Sequence, residues 1–194
     1  MISVAAVGLR QEQAQRRREQ LVDAALAVFA VKGVDGASIK DVAAAASVTP
    51  GLIYHYFSSK EALVIGVLEE RGFVPQLREL LTDRADQPAS VVLPELVRTF
   101  DELLAANADL VTIFFSISQA NPATGQALQD FVAGGHAVLE SYLQSRAAAG
   151  ELDADLVGVA ARTVFAAVAI GHKTGRRVDP DDLVELILSG LTKG

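Results

Sequence analysis

The 194 residues contain no cysteine, no tryptophan and a single methionine. Without a thiol the chain cannot carry disulfides, thiolate zinc sites, iron–sulfur clusters or a cysteine nucleophile. Positive charge is scarce too: 17 Lys and Arg stand against 24 Asp and Glu, a formal net charge of −7. A basic footprint is the usual first sign of nucleic-acid binding, so the total argues against it. Long apolar runs are short as well. The most apolar stretch, Leu156 to Gly171, carries Arg162 and Thr163 at its middle. That falls short of the roughly 20 apolar residues of a spanning helix. Met1 to Leu9 is mildly apolar, but the first positive charge, Arg10, follows it, the reverse of a secretion signal. The expectation is a cytoplasmic protein with no membrane partner.

Signatures of catalysis are missing in the same way. The chain has no HExxH, P-loop, Gly-x-Ser-x-Gly or dinucleotide fingerprint, so an enzyme is not expected. Its three histidines offer one i, i+4 pairing, His136 with Glu140, which is surface chemistry more often than a site. His172 lies near a helix C-terminus, where a cation is favourable. No metal or cofactor is expected.

What is present is apolar residue at helical spacing. Hydrophobic residues make up 51% and charged residues 21%, which excludes disorder. The spacing predicts an all-α chain with no strand. A polar lead gives way near Arg16 to a helix whose face is Leu21, Ala25, Val28 and Phe29; Gly33 ends it in the left-handed conformation. Ser38 caps a short helix with Asp41 in a capping box, and Ile39, Val42, Ala43 and Ala46 form its buried stripe. Thr49 caps a third helix with Pro50 at its first position, and Ser58 with Glu61 caps a fourth. A longer helix is expected from Lys60 to about Asp83, bent at Gly72 and Pro75. Another opens at Pro88 and Ser90 and reaches Ala106, with Pro94 in its first turn. A segment from Leu110 to Ser118 follows. A long helix runs from Asn121-Pro122 to Ala149, weakened by Gly125 and Gly134-Gly135 and stopped by Gly150. Helices over Asp155–His172 and from Asp179-Pro180 onward complete the chain.

The short pair Ser38–Ala46 and Pro50–Phe57 has the size of a helix-turn-helix unit, whose second helix enters the DNA major groove. Ile53 and Phe57, four apart, can face the core. Pro50, Gly51, Tyr54 and His55 then lie on the other side, with a hydroxyl, an imidazole and close backbone approach to offer. The Tyr56 hydroxyl can reach a phosphate, as can Lys60 in the first turn of the next helix and Ser38 through its hydroxyl or adjacent N–H groups.

Ser38-Ile39-Lys40-Asp41-Val42-Ala43, followed by the run from Ala46 through Thr49-Pro50-Gly51-Leu52-Ile53-Tyr54-His55-Tyr56-Phe57-Ser58-Ser59-Lys60-Glu61-Ala62-Leu63, resembles the TetR family of transcriptional regulators. The match reaches back to Leu21–Gly33 and covers about the first third of the chain. The resemblance implies an all-helical homodimer with a three-helix DNA reader (1–62) and a C-terminal domain for ligand binding and dimerisation (63–194). It implies that Thr49, Pro50, Gly51, Leu52, Tyr54 and His55 face a double-stranded operator, with Tyr56, Lys60 and Ser38 on its phosphates. Ser47 departs from the pattern, because the family often has glycine there; a serine with positive φ is strained by roughly 1 kcal/mol or more.

Divided at Ala62, the charge objection dissolves: seven basic residues face six acidic ones before that point, and ten face eighteen after it. Arg16-Arg17-Arg18 could serve as an arm on the DNA backbone. In the C-terminal part, the small residues of Leu156–His172 and the face Leu183, Leu186, Ile187 and Leu191 are expected to form a four-helix dimer interface. Phe100, Phe114, Phe115, Phe131, His136 and Phe165, with Tyr142, are the candidates for a pocket that takes a small, largely apolar inducer. A ligand-responsive repressor is the leading reading. The alternatives are a helical oligomeric enzyme, which needs converging acid, base or nucleophile, and a DNA-binding assembly protein without ligand.

Overall fold

The structure, a computed structural model, describes residues 4–117 and 122–191. Among them are ten α-helices, one 3-10 turn and no strand: α1 (Val4–Lys32), α2 (Ile39–Ala45), α3 (Pro50–Tyr56), α4 (Lys60–Arg71), α5 (Val74–Asp83), α6 (Ala89–Ala106), α7 (Ala108–Ser116), α8 (Pro122–Ala148), the turn Ala154–Leu156, α9 (Val157–Thr174) and α10 (Pro180–Leu191). The expected starts and ends at Ser118 and Asn121 lie outside the described residues. Two compact units form. One comprises the chain to Gly72 with Asp109–Gln129, the other Phe73–Ala108 with Asp130 onward. The first therefore runs past the expected division at Ala62, because α4 packs on α1.

In the first unit, Leu21, Val22, Ala25 and Phe29 of α1 are fully buried, and α1 packs on both α2 and α4. Burying each large apolar side chain contributes about 1.5–3 kcal/mol. Gly33, at φ +71°, ends α1, its N–H donating to the Phe29 carbonyl at 2.9 Å. The helix begins well before the expected Arg16. Residues 4–20 have no proline and one glycine, and they are rich in Ala, Gln, Glu and Arg, all strong helix formers.

Three boundaries differ from expectation. The helix over Lys60–Asp83 is two helices, since Gly72 is extended (φ −69°, ψ 159°) and stops α4; α5 opens with Pro75 in its first turn. The cap of α4 is Ser59 and not Ser58, its hydroxyl accepting from the Ala62 N–H at 3.1 Å. Pro94 lies inside α6, beyond the first turn, and is buried.

The second unit is built on α6, whose Val92, Leu93, Leu96, Val97, Phe100 and Leu104 are buried against α5, α9 and α10. Two polar side chains hold the start of α6. Pro88 gives no side-chain cap, so the Ala89 N–H donates to Glu151 Oε1 at 2.7 Å, and Tyr142 Oη donates to the Gln87 carbonyl at 2.9 Å. Tyr142 is therefore a buried prop for the start of α6. Burial, with the nearby Glu151 carboxylate, pushes its phenol up to about 12. Asp179 caps α10 as expected, Oδ1 accepting from the Asp181 and Asp182 N–H groups at 2.9 and 3.2 Å. On α10, Leu183, Val184 and Leu191 are buried within the chain, whereas Ile187 is half-buried and Leu186 is 69% exposed.

Ala154–Thr174 is long and apolar enough, by length and composition alone, to cross a membrane. Its Val157, Ala160, Ala161, Val164 and Val168 are buried where α9 packs on α6, while Val159 and Ile170 are 51% and 53% exposed.

Two outcomes follow for stability. Glu151→Ala removes a capping acceptor and should cost about 1–2 kcal/mol in urea unfolding. The Tyr142 phenol has its pKa raised from 10.0 to about 12. Its contribution is thus fully present below pH 10 and is lost as pH rises through 12. Alkaline unfolding of Tyr142→Phe should lack that component, which difference absorbance of the phenolate can follow.

Candidate nucleic-acid interface

Two seven-residue helices carry the site. Ser38 opens α2 with a closed capping box: its Oγ accepts from the Asp41 N–H at 3.2 Å, and Asp41 Oδ2 accepts from the Ser38 N–H and Oγ–H at 2.8 and 2.6 Å. Lys32 Nζ bonds Asp41 Oδ1 at 2.5 Å. Lys32 first, then Ser38, holds the Asp41 carboxyl well below the usual carboxylate range. The Ser38 hydroxyl hydrogen is thus committed inside the protein.

The turn after α2 is a Schellman motif. The Val48 N–H donates to the Ala43 carbonyl at 2.9 Å and the Ser47 N–H to Ala44 at 3.2 Å. That geometry requires a left-handed residue after the cap, and Ser47 takes it at φ +54°. Serine adopts here the conformation that glycine would take at no steric cost, and the turn keeps its shape.

In α3, Ile53 and Phe57 are 0% and 3% exposed. Thr49, Pro50, Gly51, Tyr54 and His55 are exposed, while Leu52 and Tyr56 are half-buried. Thr49 sits at the N-cap without a side-chain capping bond. The Tyr54 hydroxyl has no hydrogen-bond partner among the described residues, and the His55 ring meets only the edge of Tyr56, 5.2 Å between centroids. A Cβ on Gly51 would meet nothing nearer than Thr49 Oγ1 at 3.9 Å, so the protein itself has room for a side chain there.

Two expected phosphate contacts look different in three dimensions. Lys60 Nζ donates to the carbonyls of Val34 and Ala37 at 2.9 and 3.2 Å, pinning the loop between α1 and α2. Arg16, Arg17 and Arg18 are not an arm: they lie within α1. Arg16 and Arg17 are exposed, and Arg18 turns inward. Its Nε bonds Glu70 at 2.5 Å, and its guanidinium lies 4.3 Å from the centre of the Phe57 ring. No local sequence signal marks these roles, since the partners stand 23 to 52 residues away.

The ligand candidates divide between the units. Phe114 and Phe115, 5.2 Å apart, lie in the first. In the second, Phe100 meets Phe165 at 4.9 Å, and Phe165 meets His136 at 5.5 Å. Phe73, which the sequence did not single out, extends this chain of rings at 5.2 Å from Phe100. Phe131 is half-buried on α8. Burial, then the Arg162 charge, lowers the His136 pKa. A separate cleft of about 340 Å³ lies among Val97, Arg98, Asp101, Val168, Arg177 and Pro180. Among the described residues no three His, Asp or Glu side chains gather as metal ligands.

A short helix held by its apolar side, with an exposed polar face and a tight turn before it, is the reading element of a helix-turn-helix domain. Residues 21–67 match the model of bacterial regulatory proteins of the tetR family. The transcriptional repressor KstR2 of Rhodococcus jostii is 36% identical over 50% of this chain and 48% of its own. NicS, a transcriptional repressor of Pseudomonas putida, is 35% identical over 55% and 50%. The chain thus spans about half the length of these relatives. The fatty acid metabolism regulator protein of Bacillus subtilis is 25% identical over 81% of this chain and 82% of its own. The same all-helical fold is found in a TetR-family regulator of Mesorhizobium loti, with TM-score 0.75 and 22% identity over 92% of this chain and 98% of that one.

Ser47→Gly relieves left-handed strain of about 1–2 kcal/mol and adds unfolded-state entropy of about 0.5–1. A net gain of no more than about 1.5 kcal/mol should appear as a small rise in the urea midpoint. Lys60→Met strips two carbonyls of their donor and should lower stability by about 1–3 kcal/mol, measured by the same unfolding. Its effect on DNA binding must therefore be read at equal folded fraction.

Proposed function

We propose that the protein is a DNA-binding transcriptional regulator that acts as a homodimer, represses from a palindromic operator and is released by a small molecule. The observation that carries the reading is α3, which buries Ile53 and Phe57 and keeps Thr49, Pro50, Gly51, Tyr54 and His55 exposed. Tyr54 and His55 read base edges in the major groove, and Gly51 lets the backbone approach. The Tyr56 hydroxyl and the α2 N-terminus beside Ser38 serve the phosphates. Lys60 reaches a phosphate only with an N–H left over from Val34 and Ala37.

Two copies are needed to meet half-sites about 34–36 Å apart, or a multiple of that. Val159 and Ile170 on α9 are 51% and 53% exposed, and Leu186 on α10 is 69% exposed; a second copy covers them. In the second unit the ring chain of Phe73, Phe100, Phe165 and His136 favours an apolar inducer with one polar group. Fatty acyl-CoA is the first class to test, because the Bacillus subtilis relative is named a fatty acid metabolism regulator. The FadR structure from that organism, 24% identical with TM-score 0.70 over 88% of this chain and 95% of that one, holds stearoyl-CoA.

Genomic fragments selected by the purified protein, then challenged with acyl-CoA of graded length, test the whole reading. Release by a narrow range of chain lengths supports it; no selective fragment sinks it. Gly51→Ala gives the sharper test. Alanine suits a helix better than glycine by about 0.5–1 kcal/mol, and space is available, so the variant should be slightly more stable yet bind its operator at least tenfold more weakly. Unchanged affinity would remove Gly51 from the interface.

A further inference from the structure

We infer that Arg18 is a positioning residue for the recognition helix: through Phe57, Tyr56 and Glu70 it fixes where α3 sits between α1 and α4, and so how selectively the protein reads DNA. This rests on the assignment of α3 as the reading helix. Arg18 belongs to the basic triplet that the sequence offers to the DNA backbone, but its side chain points the other way. Nε donates to Glu70 Oε1 on α4 at 2.5 Å, and Nη1 donates to the carbonyl of Tyr56, the last residue of α3, at 3.4 Å. The guanidinium lies 4.3 Å from the centre of the Phe57 ring, directly after that residue.

Each contact has its own physical reason. The last carbonyls of a helix lack intrahelical donors and carry partial negative charge, so a cation from another helix suits the end of α3. The flat guanidinium covers an aromatic face while its N–H fork stays in plane for a carboxylate, which an ammonium cannot do. Phe57 is held by α4 as well. A Cβ on Gly66 of α4 would fall 2.7 Å from Phe57 Cε1 and 3.5 Å from Arg18 Nη2, so α4 approaches ring and guanidinium through a gap that only glycine leaves. Glu70 Oε2 is buried with no hydrogen-bond partner. Its carboxylate is therefore held through Oε1 alone, and Arg18 is what keeps it there. Arg18, Phe57, Gly66 and Glu70 form one wedge that sets the end of a seven-residue helix whose reading residues, Tyr54 and His55, lie within a single turn of it.

The test is the ratio of operator affinity to affinity for random duplex, measured at equal folded fraction, for Arg18→Lys and Glu70→Gln. Arg18→Lys keeps the charge, so random-duplex affinity and its salt slope should stay at wild-type values, while operator affinity falls about tenfold. Glu70→Gln should lower the same ratio. Arg17→Lys, on the exposed side of α1, should leave it alone. A residue that only stabilises the fold would lower the melting temperature and leave the ratio of the folded protein unchanged. If Arg18→Lys does not fold, Glu70→Gln decides alone. A wild-type ratio in the variants that fold overturns the inference while the DNA-reading assignment stands. A wild-type protein that prefers no duplex sequence overturns both.

Discussion

Seven residues cannot hold an α-helix in water by themselves, because a helix of that length barely repays its own nucleation. Everything that α3 does therefore depends on how its apolar side is gripped. Ile53 and Phe57 supply that grip, both almost wholly buried, and the first unit is arranged around them. A long α1 gives a fully buried face from Leu21 to Phe29, the Schellman turn at Ser47 fixes the approach of α3, and Gly66 lets α4 come close to the Phe57 ring. With its core side committed, the helix has one face left over, and that face carries the hydroxyl, the imidazole and the bare backbone suited to base edges.

The acidity of the chain has a place in this arrangement. It resides beyond Ala62, where eighteen acidic residues face ten basic ones, and part of it has structural work. Glu151 caps α6 and Asp179 caps α10. Asp101 holds His172 at 2.8 Å and Arg177 at 3.1 Å. Negative charge kept off the reading helix does not oppose a phosphate backbone beyond about a Debye length, roughly 8 Å at physiological salt. Net charge averaged over the chain thus says little about the surface that would meet DNA.

Local chemistry was legible in the sequence and distant chemistry was not. The capping box of Ser38 and Asp41, the stop at Gly33, the cap at Asp179 and the left-handed strain at Ser47 involve neighbours within a few residues, and the structure has all four. At Gly72 the local sequence allows either a bend or a stop, since glycine and Pro75 stand three apart, and the extended backbone at Gly72 makes it a stop between α4 and α5. Lys60 and Arg18 read as phosphate ligands because exposed cations beside a reading helix suit that task. Their actual partners come from other helices and loops: two carbonyls before α2 for Lys60, and Glu70, Phe57 and Tyr56 for Arg18. Which way a long cation turns is decided by tertiary neighbours, and no spacing rule encodes them. The same holds for the pocket candidates. Composition names the phenylalanines, but only folding joins Phe100 to Phe165 and His136 and assigns Phe114 and Phe115 to the other unit.

The central claim is that the exposed face of α3 lies against the bases of a duplex. A photo-crosslinking amino acid placed at Tyr54, with a second at Val91 as an exposed control in the other unit, tests it most directly. On irradiation with the selected operator, position 54 should attach to bases within each half-site and position 91 to none. Crosslinks from 91 with none from 54, or no attachment to bases from 54, would contradict the account.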